Sequence, residues 1–194
     1  MIVFHKYQGT GNDFVIIDDR SESFDTNNSE LINRICNRKT GVGADGLILL
    51  RNSVSTDFKM IYFNADGKES TMCGNGGRCI AHFARERGII SSNAKFDAID
   101  GLHSVGLVNG SDIVSLAMKN VEDVEIIEGD GFLDTGSPHY VRFVNDVQSI
   151  NVIHEAHKVR FNKRFKLDGV NVNFVEFIEN GIYVRTYERG VEAE

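Results

Sequence analysis

The residues with the clearest chemical potential are Met72-Cys73-Gly74-Asn75-Gly76-Gly77-Arg78-Cys79. A cysteine stands immediately before a glycine-rich turn that opens a predicted helix over 75–88. Cys79, Ile80, Phe83 and Ala84 form the apolar stripe of that helix, and Gly88 is a natural stop. The first backbone N–H groups of a helix lack partners inside it and carry the positive end of its dipole. A thiolate placed there is stabilised, and a carboxylate or phosphate can be held by the same groups. Gly74, Gly76 and Gly77 would let backbone approach a ligand closely, and Asn75 adds a donor and an acceptor. A phosphate cradle would need the Lys-Ser/Thr of a P-loop, which is absent. A metal site built from Cys73, Cys79 and His82 would have five residues between its cysteines and no second cysteine pair. Two readings stay open: a reactive Cys73 beside an anion pocket, or a buried, inert thiol. Cys36 and Cys79 fall on apolar helix faces and read as packing residues.

Other clusters carry a structural and a functional reading side by side. Residues 9–14, Gly-Thr-Gly-Asn-Asp-Phe, form a tight turn between two strands, in which Asn12 either prefers the turn or offers its amide to a ligand. Residues 41–46, Gly-Val-Gly-Ala-Asp-Gly, precede a strand, whereas a dinucleotide fingerprint follows a strand and opens a helix, so NAD binding is rejected. Glu188-Arg189 is either solvated surface or a clamp for an ammonium and a carboxylate. His139, after Pro138 at the head of a strand, is either a satisfied core histidine or a group that tunes a neighbour's pKa.

These residues must be positioned mainly by short strands. Runs rich in β-branched and aromatic residues predict strands over 2–7, 14–18, 47–51, 58–63, 96–99, 104–108, 113–117, 121–127, 140–144, 172–178 and 182–187. Helices are predicted over 29–38, with Ser29 as N-cap, and over 151–158, on a short stripe of Val152, Ile153 and Ala156. The order reads as an α+β fold with a helix against a curved sheet. A faint repeat divides it in two: residues 10–15 are echoed by 135–141, and residues 63–67 by 187–190, with a break near 117–120. The expected units are 1–118, carrying Cys73, and 119–194.

The chain has 194 residues, with 28 acidic and 21 basic side chains, a net charge of −7, and 41% hydrophobic residues. That length buries a real core, and the acidic balance argues against a nucleic-acid partner. No apolar run approaches the ~20 residues that span a bilayer, and residues 1–14 lack a signal-peptide core, so no membrane partner and a cytoplasmic location are expected. Three cysteines in a reducing compartment read as free thiols.

The motifs then occur in a familiar order: FxKxxGxGNDFxxID (residues 4–18), GxGADG (41–46), FNADGxExxMCGNGxRC (63–79), GxPH (136–139), NVxF (171–174) and YERGVExE (187–194). Together they closely resemble diaminopimelate epimerase over essentially the whole chain. The resemblance implies an isomerase of lysine and peptidoglycan biosynthesis that interconverts LL- and meso-2,6-diaminopimelate without pyridoxal phosphate, metal or redox cofactor. It implies two pseudo-symmetric units, each a curved, mostly antiparallel sheet around a central helix, with the active site in the cleft between them. One cysteine from each unit serves as acid or base. By motif, Cys73 is the catalytic cysteine of the first unit. Asn12, Asn64, Gly74, Asn75, Ser137, Asn171, Glu188 and Arg189 would hold the substrate, and His139 and Glu188 would tune the cysteines. A homodimer is compatible with it.

Three departures from the family pattern stand out. Gly46 occupies a position where many members carry glutamine, and Ser137 one where many carry asparagine. The third is that a segment bearing Cys-Gly-Thr/Ser-Gly and a second long helix, which the family pattern leads one to expect after the YERG-type residues, is not among these 194 residues. The second unit is therefore expected to be incomplete and poorly packed unless covered, and this polypeptide is expected to be nearly inactive. The alternatives are a proline racemase-like enzyme and a non-catalytic module that binds an anion or amino acid.

Overall fold

Residues 2–108 and 110–194 are described by a computed structural model. The chain divides into two units, Met1–Met118 and Lys119–Glu194. The first contains β1 (His5–Gly9), β2 (Asn12–Asp18), α1 (Ser29–Cys36), β3 (Gly46–Arg51), β4 (Phe58–Asn64), α2 (Gly74–Glu86), β5 (Asn93–Ala98), β6 (Gly101–Leu107) and β7 (Val114–Leu116). The seven strands form one sheet in sequence order. The β2–β3 and β4–β5 pairs are parallel, and the other four are antiparallel. Each parallel pair is joined through a helix, as a crossover demands.

Helix α2 touches β1, β2, β3, β4, β6 and β7, so the sheet curls around it. Phe14, Ile16, Ile48, Leu50, Phe58 and Met60 pack on Cys79, Ile80, Phe83 and Ala84 of this helix. The alternate residues Val15, Ile17, Leu47, Leu49 and Phe63 pack with Ile32 and Cys36 of α1 on the other face. Strands β2 and β3 are thus covered on both sides, which is why they read as continuous apolar runs. Gly88 ends α2 as expected: its φ is +67°, its N–H bonds Arg85 O at 2.9 Å, and Ile89 N–H bonds Ala84 O at 2.9 Å. That paired pattern satisfies two of the carbonyls a helix end leaves open.

The second unit contains β8 (Glu125–Ile127), β9 (Asp130–Asp134), β10 (Pro138–Phe143), α3 (Val152–Arg160), β11 (Asn171–Ile178) and β12 (Gly181–Tyr187), with strand order β12-β11-β10-β9-β8. Only β10–β11 is parallel. Val152, Ala156 and Val159 of α3 pack on Tyr140, Val172, Phe174 and Tyr187. An offset of 125 residues superimposes the pair Phe14↔Gly46 on His139↔Asn171, so the repeat holds at the level of register. By that register Val141 and Val175 match Ile16 and Leu50, which lie against α2. In the second unit the matching face carries Phe143, Phe177, Ile182 and Val184, all exposed, with the two phenylalanine rings stacked 4.9 Å apart.

Several element boundaries differ from expectation. The cap of α1 is Asn28, not Ser29, because Asn28 Oδ1 accepts the Leu31 N–H at 2.9 Å. That helix stops at Cys36 rather than 38, where Asn37 turns extended and its Oδ1 takes the N–H groups of Lys39 and Thr40. Ile153 is exposed, and Val159 replaces it in the buried stripe of α3. Residues 2–4 are exposed and outside β1. The expected strand over 121–127 is only Glu125–Ile127, and β9 had no sequence expectation. Its hairpin turns on Glu128 and Gly129, both at positive φ, a geometry that polar sequence disguises as plain loop.

Burial decides the cost of truncation. Phe174→Ala should destabilise the second unit by about 3–5 kcal/mol, whereas Ile182→Ala on the exposed face should stay within about 0.5 kcal/mol. Urea unfolding of the two variants checks this.

Candidate active site

Strands β2 and β3 begin, and β4 ends, at the same end of the curled sheet, as the pairs Phe14↔Gly46 and Gly46↔Asn64 require. Helix α2 begins there too, with Cys73 as its N-cap at φ −114° and ψ 115°. The first unit's site residues gather at this point because four elements terminate together. Cys73 makes no side-chain cap bond to its own helix. Its Sγ–H instead donates to Asn12 Oδ1 at 3.5 Å, across 61 residues of sequence. Asn75 Nδ2 donates to the same oxygen at 3.4 Å. Asn75 Oδ1 in turn accepts from Thr10 Oγ1 at 3.1 Å and from the Arg78 guanidinium. Asn64, the last residue of β4, is half-buried, with its N–H bonded to Lys68 O at 3.0 Å.

Sequence reasoning missed the ion network behind Asn12. Asp45 Oδ2 accepts from Asn12 Nδ2 at 2.8 Å and from Asp13 N–H at 3.0 Å, while Arg38 bridges Asp45 and Asp13. Lys6 also bonds Asp13. Burial pushes the Asp13 carboxyl up, but the Arg38 and Lys6 bonds more than reverse this and hold it far below the usual carboxylate range. The signal was Asp45 within the 41–46 motif, read there only as a glycine turn.

The glycines serve packing more than ligand approach. A Cβ on Gly77 would lie 2.5 Å from Met72 Cε, and one on Gly76 would lie 3.0 Å from Ile48 Cδ1. A Cβ on Gly46 would lie 2.5 Å from both Phe63 O and Tyr62 Cε2, so the Tyr62 ring fills the space a side chain at 46 would need. Cys36 and Cys79 are buried, and burial pushes both thiols up to about 11. Cys73 alone of the three is only half-buried. Among the described residues, no group of three His, Cys, Asp or Glu side chains is gathered as for a metal, Cys73, Cys79 and His82 included. A separate cavity of about 460 Å³ lies beside α2, lined in part by Tyr7, Arg78, His82 and Asp112 but not by Cys73.

In the second unit, Ser137, His139 and Asn171 converge where β10 and β11 begin. His139 Nδ1 faces Asn173 Nδ2 at 3.1 Å and Nε2 faces Ser137 Oγ at 3.1 Å. Asn173 Nδ2 also donates to Tyr140 O at 3.0 Å, which fixes its amide as a donor toward the ring. The Asn173 amide thus makes Nδ1 the accepting nitrogen of the ring, while Nε2 lies between Ser137 Oγ and, at 3.4 Å, Asn171 Nδ2. Burial lowers its pKa. Asn171 is buried and spends both ends of its amide internally. Oδ1 takes the Arg189 N–H at 2.8 Å, and Nδ2 reaches Ser137 Oγ and Pro138 O at 3.3 Å each. Arg189 Nη1 donates to Asp168 O at 3.0 Å, and Glu188 pairs its N–H with Ala193 O at 2.8 Å just after β12.

Residues 4–113 match the family model described as diaminopimelate epimerase. A diaminopimelate epimerase of Flavobacterium psychrophilum is 51% identical over 191 residues, covering 98% of this chain and 74% of that one. The chain belongs to the diaminopimelate epimerase family. Its activity class is that of an isomerase acting on amino acids. The same α+β fold appears in a Bacillus anthracis phenazine biosynthesis protein of the PhzF family, with TM-score 0.67, 16% identity, and 98% and 72% of the two chains covered. It appears also in a probable proline racemase from Agrobacterium radiobacter, with TM-score 0.65, 14% identity, and 96% and 69% covered. At those identities the likeness speaks for the fold alone. Among the described residues of this family member, no helix is long and apolar enough to cross a membrane.

His139 has a depressed pKa, so its protonation opposes folding. Its contribution to stability should be complete above about 6.5, the ordinary histidine value, and be lost as pH falls through its own lower midpoint. NMR titration of the His139 ring should place that midpoint below 6.5.

Proposed function

We propose that Cys73 is one catalytic thiol of a two-thiol acid/base machine that interconverts LL- and meso-2,6-diaminopimelate. The observation that carries this reading is the Cys73 thiol, half-buried at the mouth of α2 and hydrogen-bonded to Asn12. Inverting an α-carbon requires removal of the Cα proton on one face and delivery of a proton on the other. In one direction a thiolate takes the Cα–H proton, and the electron pair delocalises into the adjacent carboxylate. A thiol on the opposite face then donates its proton to Cα. With its proton on Sγ, Cys73 stands as the donor; in the reverse direction it is the base.

No electron sink is needed if the growing carboxylate charge is well stabilised. First-turn N–H groups of α2, at Gly74 and Asn75, are suited to that role, because they lack partners inside the helix and lie at its positive end. Asn64 contributes polar contacts to the substrate. Of the second unit's residues, Ser137, Glu188 and Arg189 suit the substrate's remaining amine and carboxylate groups, Asn171 holds Ser137 and the Arg189 backbone in place, and His139 tunes the thiol chemistry. The product serves lysine and cell-wall biosynthesis, as the family does.

Cys36 and Cys79 are poor candidates for the second thiol, since both are packed in apolar surroundings and stay protonated to about pH 11. One acid/base group is worth roughly 10²- to 10⁴-fold in rate. A polypeptide of these 194 residues should therefore exchange the substrate α-proton at least about 100-fold more slowly than one extended by a segment bearing Cys-Gly-Thr-Gly. Incorporation of deuterium from D2O into diaminopimelate, followed by mass spectrometry, measures both forms. Cys73→Ala should likewise slow exchange in the extended form by at least about 100-fold. A folded, extended protein that binds diaminopimelate but never exchanges its α-proton would leave a non-catalytic amino-acid-binding module as the function.

A further inference from the structure

Behind Cys73 lies a chain of side chains whose polarity is set by charge. A carboxylate only accepts hydrogen bonds, so Asp45 Oδ2, 2.8 Å from the Asn12 amide, must face its nitrogen. That leaves Asn12 Oδ1 turned toward Cys73. A guanidinium only donates, so Arg78 must face the oxygen of the Asn75 amide, which turns Asn75 Nδ2 toward Asn12 Oδ1 at 3.4 Å. Neither amide can flip without setting donor against donor or acceptor against acceptor. Asn12 is buried, so such a mismatch would have no water to relieve it.

We propose that Asp45 is a positioning residue for the reaction: it fixes the Asn12 amide so that an acceptor oxygen, and not a donor nitrogen, meets the Cys73 sulfur. The inference rests on the reading of Cys73 as an acid/base thiol. Asp45 acts on that sulfur only through the intervening Asn12 amide. Arg38, bonded to Asp45 Oδ1 at 2.7 Å, and Asp13 N–H, bonded to Oδ2 at 3.0 Å, keep its carboxylate oriented. The consequence is chemical. An acceptor beside Sγ favours the protonated thiol, which has a proton to give, and disfavours the thiolate. The same oxygen can receive an ammonium but cannot donate to a carboxylate. Asn12 therefore discriminates in favour of the amine end of an amino acid.

Asp45→Ala tests the idea. Without the carboxylate, Asn12 Nδ2 loses the acceptor that turns it away from Cys73, and nothing behind the amide opposes a flip. Its nitrogen would then face Cys73 and stabilise the thiolate. The readout is iodoacetamide alkylation of each cysteine against pH, resolved by mass spectrometry on the 194-residue protein. The Cys73 midpoint should fall by about one pH unit, equivalent to about a tenfold larger thiolate fraction below the midpoint. Asp45→Glu, which keeps an acceptor, should restore the original midpoint. Asp13→Asn, which disturbs the same ion network but not the Asn12 amide, should leave it in place.

An unchanged midpoint in Asp45→Ala, or equal shifts in all three variants, overturns the proposal. If Asp45→Ala fails to fold, the parent protein decides by NMR. The Asn12 side-chain NH2 resonances should follow the titration of Asp45. If they follow that of Cys73 instead, the orientation is reversed and the proposal falls. Failure of Cys73 in the parent protein to alkylate faster than Cys36 and Cys79 would instead sink the acid/base reading itself.

Discussion

A helix wrapped by a sheet can meet a ligand only at its end, and that constraint governs the first unit. Helix α2 is enclosed by six strands, and seven of its thirteen residues are buried. Its flanks are committed to packing, with Gly76 and Gly77 cut down to let Ile48, Met60, Met72 and Leu116 approach. What remains accessible for chemistry is the mouth, where the backbone N–H groups of the first turn point outward and Cys73 sits as cap. The apolar core therefore positions the site as much as it stabilises the fold. Any change that shifts α2 along its axis moves the sulfur relative to the strand ends that carry Asn12 and Asn64.

The mouth is also where the interior stops being apolar. Asn12 is 8% exposed, and its amide is satisfied on both ends, by a carboxylate behind and by a thiol and an amide in front. A buried polar chain is stable only when each donor meets an acceptor, and here the pattern is dictated from outside by Asp45 and Arg78. The second unit solves the equivalent problem differently. His139 takes the place that Phe14 holds in the first, and an imidazole can satisfy Asn173 with one nitrogen and Ser137 with the other. The shared register sets Asn12 against Ser137, Gly46 against Asn171, and Asn64 against Glu188. One scaffold thus carries two different sets of polar groups at matching positions.

Much of this was open to reading from residue order. Short β-branched and aromatic runs marked β2, β3, β4, β11 and β12, the glycine-rich turn marked the start of α2, and Gly88 marked its stop. The internal echo of residues 10–15 in 135–141 marked the repeat, because identical local turns need similar local residues. Cys73, Asn12, Asn75 and His139 were named from the chain alone. The errors were local as well. The cap of α1 was expected one residue too late, since Asn28 and Ser29 are both competent caps and only the backbone decides between them. Strand β9 was missed because its turn residues at positive φ look like loop.

Sequence alone determined which atoms are available: a thiol before a helix, amides in turns, a histidine at a strand head. Tertiary structure decided what those atoms do. It turned the Cys73 sulfur to Asn12 rather than to its own helix, put the Tyr62 ring where Gly46 has no side chain, and placed Asp45 behind an amide 33 residues away. The physical reason is range. Strand and helix signals come from neighbours along the chain, whereas hydrogen-bond polarity is set by groups that meet only after the sheet has curled.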